Sequence, residues 1–175
     1  MNKPNYIKYL GLVNSDKYID FIDQHIIFSE NNNYGRKKYF SGCKTNFIVE
    51  KTHINNTKII DKFFNLSTEL KEIINQSYGA GKLFNAQFSL IPAGEKIKIH
   101  EDLGFISSLT HKIHLPIITN NDVLFFIGDK KFNFKKDQLI EINNKRSHYV
   151  ENNSDNDRIH LIIDFIPSKF LPYLK

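Results

Sequence analysis

The chain has 175 residues and a mass of 20.5 kDa, a length that suits one compact domain with its own core. Apolar residues make up 41% of the sequence and charged residues 25%, which excludes a disordered chain. The longest apolar runs fall far short of the ~18 residues of a membrane span, and the N-terminal segment lacks the apolar run of a secretory signal. A single cysteine, Cys43, cannot form an internal disulfide. We therefore expect a cytoplasmic protein with no membrane partner.

The net charge of +5 would, on its own, suggest nucleic-acid binding. Only three of the 24 basic residues are arginines, however, and the lysines are dispersed along the chain. The abundance of Lys, Asn and Ile indicates a bias toward A and T in the coding sequence, which raises the charge without a selected partner. We therefore expect a solvated basic surface and no nucleic-acid partner.

Two helices are expected in the N-terminal half of the chain. Residues 15–28 place isoleucines at helical spacing, and residues 67–78 do the same with leucine and isoleucine. Ser67 is expected to cap the start of the second helix and Gly79 to end it. Between the two helices we expect a loop over 31–38 and a strand over 46–51.

After Gly81 the hydrophobic period changes to two. Apolar side chains at Phe84, Ala86, Phe88 and Leu90 alternate with polar ones at Asn85, Gln87 and Ser89, which predicts a strand with one buried and one polar face. Further short strands are expected over 95–100, 111–118, 122–127, 131–134, 138–142, 147–150 and 158–166. Short strands at regular spacing predict a sandwich or barrel. A polar face that persists on several strands predicts a wet interior that holds a ligand.

A His-x-Asp tripeptide, His100-Glu101-Asp102, is the candidate metal site. Residues two apart in an extended backbone point to the same side, so His100 and Asp102 can converge on one point. His148 follows 48 residues later on another expected strand. Two histidines and one carboxylate are the facial triad of non-haem Fe(II) oxygenases. Taken alone, the tripeptide favours an ordinary surface turn, and it is the segment after His148 that favours a metal site.

Arg158 opens a strongly apolar strand ten residues after the second histidine, and His160, Ile162 and Asp164 share its side of that strand. An inward-facing arginine is costly unless it meets an anion. A guanidinium group matches a carboxylate with two parallel hydrogen bonds. Arg158 is therefore a candidate anchor for a dicarboxylic co-substrate. Its position is equally consistent with a structural ion pair to Asp164 or Asp102.

Three segments together resemble a known family: FSLIPAGEKIKIHEDLG, then HKIHLPI, then the block from His148 that ends in RIHLIIDFIP. They are similar to the aspartyl/asparaginyl β-hydroxylase family of Fe(II)- and 2-oxoglutarate-dependent oxygenases, over roughly residues 84–167. The resemblance implies a mainly β fold, the double-stranded β-helix or cupin-like jelly roll, with supporting N-terminal α-helices. We expect a single domain over 1–175, with helical support over 1–80, a jelly-roll catalytic core over 81–167 and a C-terminal tail over 168–175.

The resemblance also implies roles for individual residues. Its catalytic iron ligands would be His100, Asp102 and His148. Arg158 would hold the distal carboxylate of 2-oxoglutarate, and His114 and Ser89 match positions that assist co-substrate binding. Lys112 stands where the family usually has arginine. Because lysine keeps the charge and lacks the planar fork, the resemblance leaves a direct contact at Lys112 open.

The activity implied is a hydroxylation of an unactivated carbon that uses Fe(II), 2-oxoglutarate and dioxygen. We expect the substrate to be an amino acid or a peptidyl residue of the Asp, Asn or Pro type, with loop 103–111 as the entrance. Two alternatives are a cupin-like metal enzyme that does not use 2-oxoglutarate and a non-catalytic small-molecule-binding barrel. His111 and His160 are expected at the strand surface or behind the ligands, and Tyr149 is a candidate to line a pocket.

Overall fold

The computed structural model describes residues 2–30, 39–40, 42–49 and 57–174. The loop expected at 31–38 and the last two residues of the strand expected at 46–51 lie outside this part of the chain. The described strands are β1 (Ile7–Leu12), β2 (Ser29–Glu30), β3 (Lys44–Val49), β4 (Gly81–Ile91), β5 (Lys96–His100), β6 (His111–Ile118), β7 (Val123–Ile127), β8 (Lys130–Phe132), β9 (Gln138–Ile142), β10 (His148–Asn152) and β11 (Arg158–Pro167). The helices are α1 (Lys17–His25), α2 (Thr57–Leu66), α3 (Thr68–Tyr78) and α4 (Phe105–Leu109), followed by a 3-10 helix over Ser168–Leu174.

The strands pair antiparallel into two sheets that pack face to face. The major sheet has the order β1-β9-β6-β11-β4-β3-β2, and the minor sheet has the order β5-β10-β7-β8. Apolar side chains from both sheets, among them Ile91 and Ile142 of the major sheet and Ile97 and Phe125 of the minor sheet, fill part of the space between them. A larger apolar cluster joins the outer face of the major sheet to the helices. This architecture confirms the mainly β jelly roll with helical support.

The helices cover the outer face of the major sheet through aromatic side chains. Tyr18 and Phe21 of α1 pack against Phe63 of α2 and Phe88 of β4, with ring centroids 6.0–6.5 Å apart. Helices α1 and α3 match the two expected ones, whereas α2 was not predicted. In the described residues, no helix is long and apolar enough to cross a bilayer.

The two ends of α3 differ in how well the sequence predicts them. Gly79 ends the helix as expected, with a φ of 77° and its N–H donating to the Asn75 carbonyl oxygen at 2.7 Å. Ser67 lies at the N-terminal end, but its side chain makes no capping hydrogen bond. The expected cap is wrong because Ser67 is buried beneath α1, where its hydroxyl oxygen accepts a hydrogen bond from Tyr18 at 3.2 Å.

Strands β4 and β11 are neighbours near the centre of the major sheet, and their alternation decides which side chains face the minor sheet. Ala86 and Phe88 of β4 are buried on the helix side, as expected. A bulge near the start of β4, where this strand pairs with the end of β11, changes the alternation. As a result, Leu83 lies in the helix-side core and Phe84 lines the cavity between the sheets. The expectation that Phe84 shares the face of Ala86 is therefore wrong, because one extra residue in a strand exchanges its two faces.

Candidate active site

The two histidines of the candidate metal site, His100 and His148, are direct partners on the neighbouring strands β5 and β10. Their ring centroids lie 4.3 Å apart. In each, Nδ1 lies within hydrogen-bond distance of the carbonyl oxygen two residues earlier, at 2.7 Å from Lys98 and at 2.8 Å from Arg146. Because a carbonyl oxygen only accepts, the ring hydrogen belongs on Nδ1. The Nε2 lone pair of both rings is therefore free to bind a metal.

Asp102 completes a cluster of three candidate ligands just after the end of β5. One of its carboxylate oxygens lies 3.9 Å from Nε2 of His100. One ligand atom from each of His100, Asp102 and His148 lies within 4.8 Å of the other two. The convergence predicted from the His-x-Asp spacing is therefore present. Two imidazoles and one carboxylate are a donor set that suits Fe(II) and leaves further coordination positions for other molecules.

Two neighbours hold the Asp102 carboxylate in place. The side-chain amide of Asn144 donates to Oδ2 at 3.1 Å, and the Asp102 backbone N–H donates to the Asn144 carbonyl oxygen at 2.9 Å. Lys112 of β6 places its ammonium group 3.4 Å from the same carboxylate and 2.8 Å from the carboxylate of Asp164. Sequence reasoning missed Asn144, because this residue is distant along the chain and the Asn143-Asn144 pair indicates only a turn.

The protonation states of these groups favour metal binding. Burial alone would raise the pKa of Asp102, but Lys112, His148 and the hydrogen bond from Asn144 outweigh burial and hold this pKa well below its usual range. Burial lowers the pKa of His148, against the opposing effect of Asp102. At neutral pH the site therefore offers a charged carboxylate and a neutral imidazole, which are the forms that bind metals.

Arg158 is 1% exposed and has no carboxylate partner within the described part of the chain. One of its terminal nitrogens, Nη2, lies 2.6 Å from Nδ1 of His160, while Nε and Nη1 are buried without a partner. Asp102 and Asp164 pair with Lys112 instead, so the expected alternative of a structural ion pair to Arg158 is wrong. Burial lowers the pKa of Arg158 to about 9, which leaves it protonated at neutral pH. A buried, unpaired guanidinium group is a strong site for an anion.

A single cavity of about 410 Å³ connects the metal-site cluster to Arg158, and Ser89 and His114 also line it. This volume is within the range of small-molecule sites. Nδ1 of His114 is buried without a partner, and burial lowers the pKa of His114 well below its usual value, so the ring is neutral. The apolar part of the wall includes Phe40, Ile97, Phe125, Ile142 and Val150.

Part of the segment expected to form the entrance lines the cavity, whereas Tyr149, an expected lining residue, does not. Leu103, Ile106, Ser107 and Thr110 line the cavity, in agreement with an entrance formed by loop 103–111. Tyr149 does not line it. Its ring stacks on Phe126 at 4.3 Å, because neighbouring residues of a strand point to opposite faces and His148 occupies the inner one.

His111 and His160 both lie outside the metal-site cluster, and both are buried. His111 lies on the helix side of β6, where Nδ1 is 2.7 Å from the carboxylate of Glu141 and the ring stacks on Tyr78. A second cavity, of about 500 Å³, opens beside His111 and Tyr78 and contains none of the candidate ligands. The donor set and the unpaired guanidinium group both belong to the first cavity.

The fold is shared with structurally characterised oxygenases. A prolyl hydroxylase from Trichoplax adhaerens, solved in complex with a hypoxia inducible factor peptide, superposes with a TM-score of 0.67 at 12% identity, over 98% of this chain and 88% of that one. An oxidoreductase of the 2OG-Fe(II) oxygenase family from Burkholderia pseudomallei gives 0.64 at 12% identity, over 85% and 76%. A prolyl-4-hydroxylase from Pseudomonas putida gives 0.58 at 15% identity, over 93% of both chains. At such identities these likenesses define the fold, the double-stranded β-helix that these oxygenases share.

The family follows from the sequence itself. The sequence model of the aspartyl/asparaginyl beta-hydroxylases matches residues 28–167, and the chain belongs to this family. It is accordingly a 2-oxoglutarate-dependent hydroxylase, with Fe(II), 2-oxoglutarate and dioxygen as its cofactor and co-substrates. Membership decides against the cupin-like enzyme without 2-oxoglutarate and against the non-catalytic barrel. Among curated proteins, none matches the chain at a significant level.

Proposed function

We propose that His100, Asp102 and His148 hold the Fe(II) of this hydroxylase and that Arg158 binds the distal carboxylate of 2-oxoglutarate, with Ser89 and His114 beside it. In this proposal the substrate is an amino acid or a peptidyl residue. The observation that carries it is the presence, in one cavity, of a donor set that suits Fe(II) and a buried guanidinium group with two unpartnered nitrogens.

The residues fit both groups in their chemistry. Neutral imidazole and carboxylate ligands suit Fe(II). Nε and Nη1 of Arg158 have no partner, and an anion that accepts hydrogen bonds from the guanidinium group would neutralise a charge that no described carboxylate meets. When bound, the iron supplies the activation of dioxygen that the oxidative decarboxylation of 2-oxoglutarate and the hydroxylation require.

The protein contributes binding, orientation and exclusion of water. Lys112 keeps Asp102 ionised and in place, because its ammonium group pairs with the carboxylates of both Asp102 and Asp164. We assign its part in co-substrate binding to this charge, since lysine lacks the planar guanidinium group of arginine. The apolar wall formed by residues such as Phe125 and Val150 limits water beside the ligands. Exclusion of water protects reactive species from side reactions.

Polar groups on β4 support an amino acid or peptidyl substrate. The amide nitrogen of Asn85 lies 3.0 Å from the Asp164 carboxylate, and since a carboxylate only accepts, the amide orientation is fixed. The carbonyl oxygens of Asn85 and Gln87 are buried without partners, and both residues line the cavity. Two acceptors that lack donors favour a substrate with N–H groups, such as an ammonium group or a backbone amide. The peptide in complex with the Trichoplax adhaerens enzyme has backbone amides of this kind.

The metal and co-substrate assignments can be tested without turnover. Addition of 2-oxoglutarate to the anaerobic Fe(II) protein should produce a visible charge-transfer band. We expect Arg158→Met to need a much higher concentration of 2-oxoglutarate for the same band, and the exposed Lys131→Met, a matched control, to behave as wild type. An absent band in the wild-type protein, or an unchanged titration of Arg158→Met, would contradict the assignment.

The substrate class can be tested by succinate release. Free amino acids and short peptides that contain Asp, Asn or Pro should be screened for stimulation of 2-oxoglutarate turnover, with each hit checked by mass spectrometry for the addition of one oxygen. Stimulation by an amino acid or peptide, together with its hydroxylation, is the expected result. Stimulation only by compounds without N–H donors would contradict the proposed class.

A further inference from the structure

A second buried ionisable side chain, His160, contacts Arg158. His160 lies two residues further along β11, on the same face of the strand, and is 1% exposed. Its strand partners are Ser89 of β4 and Pro116 of β6. His160 is not part of the metal-site cluster and does not line the cavity. The proposed function assigns no role to His160. Burial of a polar ring is costly unless its nitrogens form hydrogen bonds.

The contact between His160 and Arg158 has a defined direction. A guanidinium group has only N–H donors, so Nδ1 of His160, at 2.6 Å from Nη2, must be the acceptor. The ring hydrogen of a neutral His160 is then on Nε2, which is buried without a partner. Burial and the nearby Arg158 lower the pKa of His160 well below its usual value, which agrees with a neutral ring. This tautomer is the opposite of the one assigned to His100 and His148.

The contact also limits how a ligand can approach Arg158. One N–H of Nη2 is engaged by His160, and the second N–H of Nη2 remains beside the unpartnered Nε and Nη1. A carboxylate forms two parallel hydrogen bonds either to Nη2 and Nε or to Nη2 and Nη1, and a single bond to His160 leaves one of these two edges free. Phe134 and His114 pack against the His160 ring, with centroids at 6.5 and 5.8 Å, and so restrict its movement.

We propose that His160 is a positioning residue, which orients Arg158 by accepting a hydrogen bond at Nδ1 and so presents the free guanidinium edge to the distal carboxylate of the co-substrate. The proposal rests on the proposed function of Arg158. It predicts that His160 affects recognition of a carboxylate at the far end of the co-substrate and leaves binding of the 2-oxo acid end unchanged.

The test compares two co-substrates in three proteins. 2-Oxopentanoate has the carbon chain of 2-oxoglutarate without the distal carboxylate. Their dissociation constants are measured anaerobically from the charge-transfer band of the Fe(II) protein, for wild type, His160→Phe and His160→Asn. Phenylalanine keeps the ring without an acceptor, whereas asparagine keeps an acceptor on the same carbon. We expect the preference of the wild type for 2-oxoglutarate to fall about tenfold in His160→Phe and to be retained in His160→Asn.

The outcomes separate failure of this proposal from failure of the proposed function. If His160→Phe keeps the wild-type preference, or weakens both acids equally, the positioning role is wrong. If the wild type itself does not distinguish the two acids, the assignment of Arg158 is wrong.

A measurement on the wild type covers the case in which His160→Phe does not fold. In ¹⁵N NMR spectra, the His160 signals, assigned by their loss in His160→Asn, should show an unprotonated Nδ1 and a protonated Nε2 at neutral pH. A hydrogen on Nδ1 would overturn the proposal, because a protonated nitrogen cannot accept from Arg158.

Discussion

Asp102 and Asn144 bind each other twice. The backbone N–H of Asp102 donates to the Asn144 carbonyl oxygen at 2.9 Å, and the Asn144 amide donates to the Asp102 carboxylate at 3.1 Å. The pair ties the loop after β5, which carries Asp102, to the turn before β10, the strand that begins with His148. The position of the carboxylate therefore depends on a residue that is not itself a ligand.

The first prediction follows from this pair. Asn144→Ala should weaken Fe(II) binding by roughly tenfold to a hundredfold, because loss of a group that orients a metal ligand typically has an effect of this size. Competition with a coloured chelator under anaerobic conditions measures the affinity. Asn153→Ala removes an exposed asparagine in the loop after β10 and should leave the affinity unchanged. Equal affinities for Asn144→Ala and Asn153→Ala would show that Asp102 does not need this support.

The second prediction concerns the ammonium group between two carboxylates. Lys112→Met should lower the free energy of unfolding of the metal-free protein by about 2 kcal/mol, since Asp102 and Asp164 lose their shared partner. Urea unfolding measures the loss. Lys112→Arg keeps the charge and should retain most of the stability that Lys112→Met loses. The double variant Lys112→Met and Asp164→Asn should regain part of this stability, because one of the two unpaired carboxylates is removed. A Lys112→Met protein as stable as wild type would mean that the lysine contributes nothing to this site.

The third prediction is a pH dependence of stability. His114 and His160 are buried, and burial lowers both pKa values well below the usual 6.5. Below about pH 6.5 the unfolded chain binds protons at these positions and the folded protein does not, so stability falls on acidification. The expected slope is up to about 1.4 kcal/mol per pH unit for each histidine.

Urea unfolding of the metal-free protein between pH 7.5 and 5.5 tests this slope. His160→Asn removes one of these titrating groups and should reduce the slope by up to about one proton, whereas removal of the part-exposed His25, as His25→Asn, should leave most of it. Stability that does not change over this range in the wild-type protein would contradict the neutral state of both buried rings.

The fourth prediction concerns the unpartnered acceptors on β4. Gln87→Leu should reduce substrate-stimulated succinate release about tenfold, because the substrate would lose a hydrogen bond that no solvent replaces. The charge-transfer titration with 2-oxoglutarate should stay as in wild type. Gln24→Leu, which changes an exposed residue of α1, is the matched control. If Gln87→Leu instead weakens 2-oxoglutarate binding and leaves substrate stimulation intact, this residue belongs to the co-substrate end of the cavity.

Much of the fold could be predicted from strand periodicity. The alternation over β4 assigned Ala86 and Phe88 to a buried face correctly, because each face of this strand meets a different environment. The bulge that moves Phe84 could not be predicted, since it depends on pairing with β11 rather than on local sequence. Helix α2 was also missed, because its existence depends on packing of Phe63 against α1 and β4 rather than on clear start and stop signals.

The candidate site shows the same division. Spacing along strands brought out His100, Asp102 and Arg158, because residues two apart on a strand share a face. His160 shares the face of Arg158 for the same reason, but the spacing does not show that it accepts a hydrogen bond from the guanidinium group. Asn144, which orients Asp102, has no such signal, because it reaches Asp102 only through the pairing of β5 with β10.

The central claim is that His100, Asp102 and His148 hold one Fe(II), and metal content tests it most directly. Wild-type protein, His100→Ala, His148→Ala and the control His25→Ala are loaded with Fe(II) anaerobically, desalted and analysed for iron. We expect about one iron per chain in wild type and His25→Ala and almost none in His100→Ala and His148→Ala. Iron contents of His100→Ala and His148→Ala that equal the wild-type value would contradict the account.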